Sequence, residues 1–416
     1  MSSGPGTRQE REAAVRAATN AVVTTIDPPL PHAADGPLAG VRVGVKDNID
    51  TAGVLTTCGS RFFADRVPDA DAVVVTRLVE AGAEVVAKLN LSEFAVGITS
   101  QNSASGPVRN PWDLTRVPGG SSGGSGAAVA AGLVDVALGT DTGGSVRLPA
   151  AACGVTGLRP GIAVVPDAGT FPMCDLVDTI GPLARTVELV GRAFCVLAGR
   201  PARHLQPALP ARIGVPRLWF DDLDPGVEAV VAAAARVFAD GGAELVPVEV
   251  AGISAAQDVL YTIVYSGLAD LHGERLARPE LFQADTLTRM RVGSRVSEGD
   301  RVAALEARAE YQRAVDEVFE HVDVLLTPTL PVDVPRAADG DDVLATTRRL
   351  IQLTAPWSLH SGPTLALPVG RHPGSGMPVG AQLTAPVGGE DLLLDAGAWF
   401  QQRTDWHTAL PPCRVG

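Results

Sequence analysis

Two clusters of glycine and serine constrain this chain more than any other feature: residues 118–126 (PGGSSGGSG) and Gly143-Gly144-Ser145 within TDTGGSVR. Between them runs an apolar, alanine-rich stretch over 127–138. Glycine and serine runs are most often solvated linkers. The stretch after Gly126, AAVAAGLVDVALG, is instead helix-prone and then strand-like, so this is no solvated linker. Glycine lets backbone approach a reacting group closely, and adjacent N–H groups in such a turn can hold a developing negative charge. Serine hydroxyls beside bare amides suit nucleophilic attack on a carbonyl.

A chain of 416 residues is long enough for one large α/β domain or two smaller ones. Its net charge of −13 argues against a nucleic-acid partner, because phosphate neutralisation needs clustered Lys and Arg. The five cysteines, Cys58, Cys153, Cys174, Cys195 and Cys413, are scattered without a C-x-x-C. That usage fits reduced thiols in a cytoplasmic protein. The seven histidines form no H-x-x-x-H pair, so no zinc site is expected, and nothing calls for another metal or a cofactor. No run of about 18 apolar residues appears, which argues against a membrane span, and no secretory signal opens the chain. Residues 7–22, charged and alanine-rich, read as a short surface helix.

Further along, the Pro-rich segment 23–40 leads into an apolar strand at 41–45 that ends on Lys46. A helix at 71–80, closed by Ala81-Gly82-Ala83, precedes a strand at 84–89. This is a β–α–β rhythm with the valine runs of buried strands. The pattern then predicts a helix at 127–132, strands at 133–139 and near 154–159, and a surface connection over the Pro-rich 197–217. Helix 226–240 and strand 243–250 resume the alternation, and 252–322 reads as mostly helical, most regularly over 303–320. Short strands are expected at 322–326, 364–367 and 379–383. With no repeat and no linker long enough to free a second unit, the expectation is a single large α/β domain.

Acyl transfer needs a nucleophile, a base and an oxyanion site. No histidine accompanies the clusters, and Gly120-Ser121-Ser122-Gly123-Gly124 does not fit the G-x-S-x-G elbow of α/β-hydrolases. Nor does the cluster carry the Gly-Lys-Ser/Thr of a P-loop or a G-x-G-x-x-G, so a phosphate cradle is not supported. Lysine is then the candidate base. The chain has only two, Lys46 and Lys88, each at the end of an expected strand. Arginine stays protonated and cannot serve, whereas a lysine in a dry site can be neutral near pH 7.

These residues are embedded in longer motifs: GVKDNIDTAGVLTTCGS, AKLNLSEFAVG, NPWDLTRVPGGSSGGSGAAVAAG, LGTDTGGSVRLPAAACGVTGLRP and DTIGPLARTVE, filling 37–190 with hardly a gap. DVLLTPTLP (323–331), SGPTLALPVG (361–370) and MPVGAQL (377–383) continue them more weakly. In these motifs the chain resembles the amidase signature family, the Ser–cis-Ser–Lys amidohydrolases. The resemblance implies one amidase domain over 1–416, with an N-terminal extension (1–36), a core (37–190) and a remainder (191–416). A variable helical region at about 250–320 would cover the substrate. The implied architecture is a mixed β-sheet flanked by helices on both faces.

Position by position, the resemblance places the base at Lys46, the bridging serine, preceded by a cis peptide, at Ser121, and the nucleophile at Ser145. It places the oxyanion hole at the amides of Thr142, Gly143, Gly144 and Ser145. Ser122, Asp141 and Arg147 fall where relatives tie the two loops together, and Lys88 where a basic residue has no catalytic role. Phe94, Ala95, Val96 and Gly97 correspond to a pocket-lining stretch of relatives, and Phe171, Met173 and Cys174, just beyond the signature, are candidates to line the same cavity. The implied reaction is hydrolysis of a small-molecule carboxylic amide through a serine acyl-enzyme, releasing acid and ammonia or amine, without cofactor. A homodimer is common among relatives. Two alternatives stay open. One is a urea-type amide hydrolase acting on allophanate or carboxybiuret, with Arg289 or Arg291 holding a carboxylate. The other is an amidotransferase of the A type, working with partner proteins, against which weigh the short region before Lys46 and the lack of a Tyr-Asp motif.

Overall fold

The valine-rich segments pair side by side into one mixed sheet, seen in a computed structural model that describes residues 7–217, 223–337 and 342–416. Its strands are β1 (Val22–Thr25), β2 (Arg42–Lys46), β3 (Glu84–Leu89), β4 (Val136–Asp141), β5 (Thr156–Arg159), β6 (Thr179–Ala184), β7 (Arg212–Pro216), β8 (Glu244–Val248), β9 (Val324–Pro328), β10 (Thr364–Arg371) and β11 (Pro378–Thr384). Among the described residues they form an 11-stranded sheet ordered β1-β3-β2-β4-β6-β5-β10-β11-β9-β7-β8. The β3-β2-β4 and β8-β7-β9 stretches are parallel; the centre, from β4 through β11 to β9, is antiparallel. One sheet thus joins both ends of the chain into a single domain.

Helices cover both faces. The helices are α1 (Arg8–Thr19), α2 (Val73–Glu80), α3 (Gly123–Ala130), α4 (Arg147–Cys153), α5 (Val187–Ala198), α6 (Pro225–Asp240), α7 (Ala256–His272), α8 (Ala284–Gly293), α9 (Glu298–Phe319), α10 (Val343–Ile351), α11 (Ala355–His360) and α12 (Glu390–Gln401). On one face α2, α5, α6 and α12 bury alternate strand residues such as Val43, Val45, Val136 and Leu138. On the other, α3 and α4 cover Ala137, Leu183 and Ala366. A separate apolar cluster joins α7 to α11 and roofs the glycine loops. Each fully buried Val or Leu contributes about 1.5–3 kcal/mol, so this two-faced burial is the main force holding the strand ends in place.

Several boundaries differ from the sequence expectation. Helix α3 starts at Gly123, inside the glycine cluster, and not at 127. Glycine is a poor helix former, but a Cβ at Gly124 would lie 2.3 Å from the Asn90 carbonyl oxygen, so packing selects it there. The following strand begins at Val136, after a turn at Gly132 (φ +73°). The Pro-rich 197–217 is no mere connection: Arg212–Pro216 is a strand pairing with β8 and β9. The first helix ends at Thr19, capped by Asn20 in the left-handed region, and residues 22–25 are an edge strand.

Candidate active site

Strand β2 delivers Lys46 to the sheet's interior end, where it is fully buried. Its Nζ lies 2.7 Å from Ser121 Oγ and 2.7 Å from Thr140 Oγ1 at the end of β4. Ser121, also without exposure, sits on the loop entering α3, and the Gly120–Ser121 peptide is cis. Burial pulls the Lys46 amine from 10.5 down to about 7, against Asp141 and Asp178, whose negative charges raise it. At neutral pH a large share of this lysine is therefore uncharged and able to accept a proton.

Asp141 organises the second glycine loop. Its carboxylate accepts from the amides of Gly144 (2.8 Å) and Val146 (3.1 Å) and from Arg147 Nε and Nη2 (both 3.0 Å). Burial would raise its pKa, but the Arg147 and Arg159 guanidiniums hold it at about 2, so it stays ionised. Arg147 in turn reaches Ser358 Oγ (2.6 Å) and Gln382 Oε1 (3.1 Å), binding the loop to α11 and β11. Ser122 links the two clusters: its amide donates to the Ser145 carbonyl (3.3 Å) and its Oγ to the Thr140 carbonyl (3.2 Å). A Cβ at Gly144 (φ +134°) would lie 2.4 Å from Thr354 Oγ1, so only glycine permits this close turn.

Ser145 stands at the head of this loop, 6% exposed, before α4. The amides of Thr142, Gly143 and Ser145 meet no acceptor among the described residues. Gly144's amide is different: Asp141 occupies it. Three free donors, not four, remain at the expected oxyanion site. A narrow cavity of about 40 Å³ opens beside them, lined by Ser145, Thr142, Gly143, Ala95, Gly97 and Met173, and roofed by α7, α8 and α10. Phe171 lines a neighbouring space. Phe94 and Val96 do not line the first cavity. Phe94 is packed in an aromatic cluster, stacked on Phe171 at 5.2 Å, and Val96 is fully buried. Cys174 is buried with its thiol pushed up to about 12 by burial, which leaves it inert.

Lys88, the other lysine, is buried apart from the serines. Its Nζ donates to the Ile49 carbonyl (2.7 Å) and Thr56 Oγ1 (2.6 Å) and pairs with Asp47 at 3.4 Å, fixing the segment after β2. Three polar residues at the site carried no role in the sequence reading: Thr140, Asn48 and Asp178. Asn48 Nδ2 donates to Thr140 Oγ1 (3.4 Å), and Asp178 accepts from Thr142 Oγ1 (2.6 Å). Each lies inside a matching motif, and a polar residue next to a strand end was the signal available for it.

A family model described as "Amidase" matches residues 10–394. The chain belongs to the amidase family. Among its relatives, the A subunit of glutamyl-tRNA(Gln) amidotransferase from Roseiflexus sp. (strain RS-1) is 39% identical over 420 residues, covering 91% of this chain and 86% of that protein. The crystal structure of the corresponding glutamyl-tRNA(Gln) amidotransferase chain from Thermotoga maritima superposes with a TM-score of 0.87 at 29% identity, covering 98% of this chain and 93% of that one. A structure described as an amidase superposes at 0.86 with 31% identity, covering 95% and 94%. Among the described residues, no helix of this amidase-family chain is long and apolar enough to cross a membrane.

Proposed function

We propose that the protein hydrolyses a small carboxylic amide through an acyl-enzyme on Ser145, with Ser121 as proton relay and Lys46 as base. The 2.7 Å contact between Lys46 Nζ and Ser121 Oγ, inside a site closed to solvent, carries this reading. A neutral Lys46 directs an N–H to Thr140 and its lone pair to the Ser121 hydroxyl. Ser121 gives its proton to Lys46 and takes the proton of Ser145, whose oxygen attacks the amide carbon. The oxyanion forms against the Thr142, Gly143 and Ser145 amides, each such donor being worth about 3 kcal/mol. Collapse breaks the C–N bond, and the departing nitrogen takes its proton from Ser121. Water then repeats the sequence on the ester, releasing the acid.

The acyl side has its own chemistry. Arg289 lines the cavity, is 3% exposed, and makes no ion pair among the described residues. Its Nη2 reaches Thr347 Oγ1 (2.5 Å), while its Nε is buried without a partner. Arg291 is exposed and is not among the residues that line the cavity. A buried guanidinium lacking a carboxylate favours an acyl group that brings an anionic or strongly accepting end, which includes the ureido acids. The identity to glutamyl-tRNA(Gln) amidotransferase chains favours a second reading, glutamine hydrolysis coupled to a partner. The test is the purified chain against a panel of primary amides, anilides and ureides, measuring acid and ammonia. Equimolar release by the chain alone supports the first reading. Turnover of glutamine only after partner proteins are added replaces it with the second.

A further inference from the structure

A second cavity, of about 20 Å³, shares Ala95, Thr142 and Met173 with the first and lies against Asn48, Thr140, Thr170, Asp178 and Thr179. Three buried polar atoms of its lining have no hydrogen-bond partner: Asn48 Oδ1, Thr170 Oγ1 and Thr179 Oγ1. Asn48 is 1% exposed and Thr179 3% exposed. Asn48 spends its amide hydrogens on Thr140 Oγ1 (3.4 Å) and the Phe171 carbonyl (3.3 Å), so its carbonyl oxygen can only accept. Asp178 adds a carboxylate, already receiving Thr142 Oγ1 (2.6 Å) and the amides of Met173 (2.7 Å) and Cys174 (2.8 Å). Leaving one such buried group unpaired costs about 1–3 kcal/mol, so the lining calls for a hydrogen-bonding occupant, and Asn48 Oδ1 for one that donates. A space this size holds one water-sized molecule. The wall offers one pure acceptor, Asn48 Oδ1, two hydroxyls that can accept or donate, and the Asp178 carboxylate; that negative charge favours a cationic N–H donor over water.

The cage adjoins the lysine end of the site, because Thr140 Oγ1 takes hydrogen bonds from both Lys46 (2.7 Å) and Asn48 (3.4 Å). We propose that this cage receives the ammonia released on amide cleavage, holds it as ammonium between Asn48, Thr170, Thr179 and Asp178, and so restricts the enzyme to primary amides. The inference rests on the hydrolytic reading above. The atoms balance as follows: the C–N bond breaks, nitrogen keeps the electron pair and takes one proton from Ser121, leaving as NH₃. Solvent supplies the further proton, and the carboxylic acid formed in the later water step returns one to solvent when it ionises. Burial lifts the Asp178 carboxyl to about 6, so it is mostly ionised at neutral pH and matches the ammonium charge. In a cavity of about 20 Å³ a methyl group on the nitrogen should crowd the wall.

Two measurements on the full chain test this. The first is the thermal midpoint in ammonium, sodium, potassium and methylammonium chloride at constant ionic strength. The second is inhibition of primary-amide hydrolysis by the same salts, followed through acid formation. Ammonium alone should raise the midpoint and inhibit, and N-methyl amides should be poor substrates. Thr170→Val with Thr179→Val should weaken ammonium about tenfold in both measurements, as loss of hydrogen bonds to a charged group predicts. Thr179→Ser, which keeps the hydroxyl, should retain the affinity and covers the case in which the valine variant does not fold. Equal effects of ammonium and potassium, or none from ammonium, overturn the inference: the cage then holds a generic cation or water. Ammonium binding as described with no amide cleaved leaves the site standing and removes the hydrolytic reading.

Discussion

The acid side of the pH–rate profile should belong to Lys46. An ordinary lysine at 10.5 is uncharged in about one molecule in 3,000 at pH 7. Burial brings Lys46 to about 7, where half of the molecules carry the free amine. The gain is about a thousandfold in competent enzyme, and its sign is fixed: kcat/KM rises with pH through about 7 and then levels. The assay is ammonia release from a good amide substrate between pH 5 and 9.5 at constant ionic strength. Lys46→Arg keeps the positive charge at every accessible pH and should be inactive throughout. Lys46→Ala should lose orders of magnitude, with a rate that keeps climbing as hydroxide partly replaces the amine. Asp178, also titrating near neutrality at about 6, is separated by Asp178→Asn. Its charge raises the Lys46 pKa, so removing it should move the limb to lower pH and not erase it. A flat wild-type profile, or a Lys46→Ala enzyme within about tenfold of wild type at pH 7, would refute the reasoning.

Two further outcomes follow from the same charges. The depressed Lys46 pKa means the unfolded chain binds a proton that the folded one lacks between pH 7 and 10.5, so wild-type stability rises with pH across that window. Lys46→Met should therefore stabilise the fold more at pH 6 than at pH 9, by about 2–3 kcal/mol in urea titrations. Arg147→Met should destabilise by about 3–5 kcal/mol, because it strands the fully buried Asp141 carboxylate. Urea unfolding midpoints check this, and a loss under about 1 kcal/mol would mean Asp141 is held by the backbone amides and Arg159 alone.

How far the sequence was readable depended on whether a segment's pattern or its neighbours decided its structure. The valine-rich strands β2 and β3 and the long helix α9 declared themselves, since their alternation and length suffice. Strand β6 did not: its Gly181-Pro182 reads as a break, yet Leu158 O would lie 2.0 Å from a Cβ at Gly181, so only glycine admits the neighbouring strand there. Helix α4, seven residues with a proline, is held by burial on every side and has no amphipathic stripe to read. At the site, Lys46 and the two serines stood out by scarcity and by motif. The capture of the Gly144 amide by Asp141 did not, because it depends on how the loop folds back on the preceding strand. The cage at Asn48, Thr170 and Thr179 was equally silent: Asn48 lies far along the chain from the two threonines and meets them only when β2, β4 and β6 close together.

The most direct measurement is to quench the enzyme during turnover of an amide substrate and map the attached acyl group by peptide mass spectrometry. The acyl mass should sit on Ser145, disappear in Ser145→Ala together with activity, and be lost on brief treatment with hydroxylamine. An acyl group on any other residue, or full turnover by Ser145→Ala, would contradict the account.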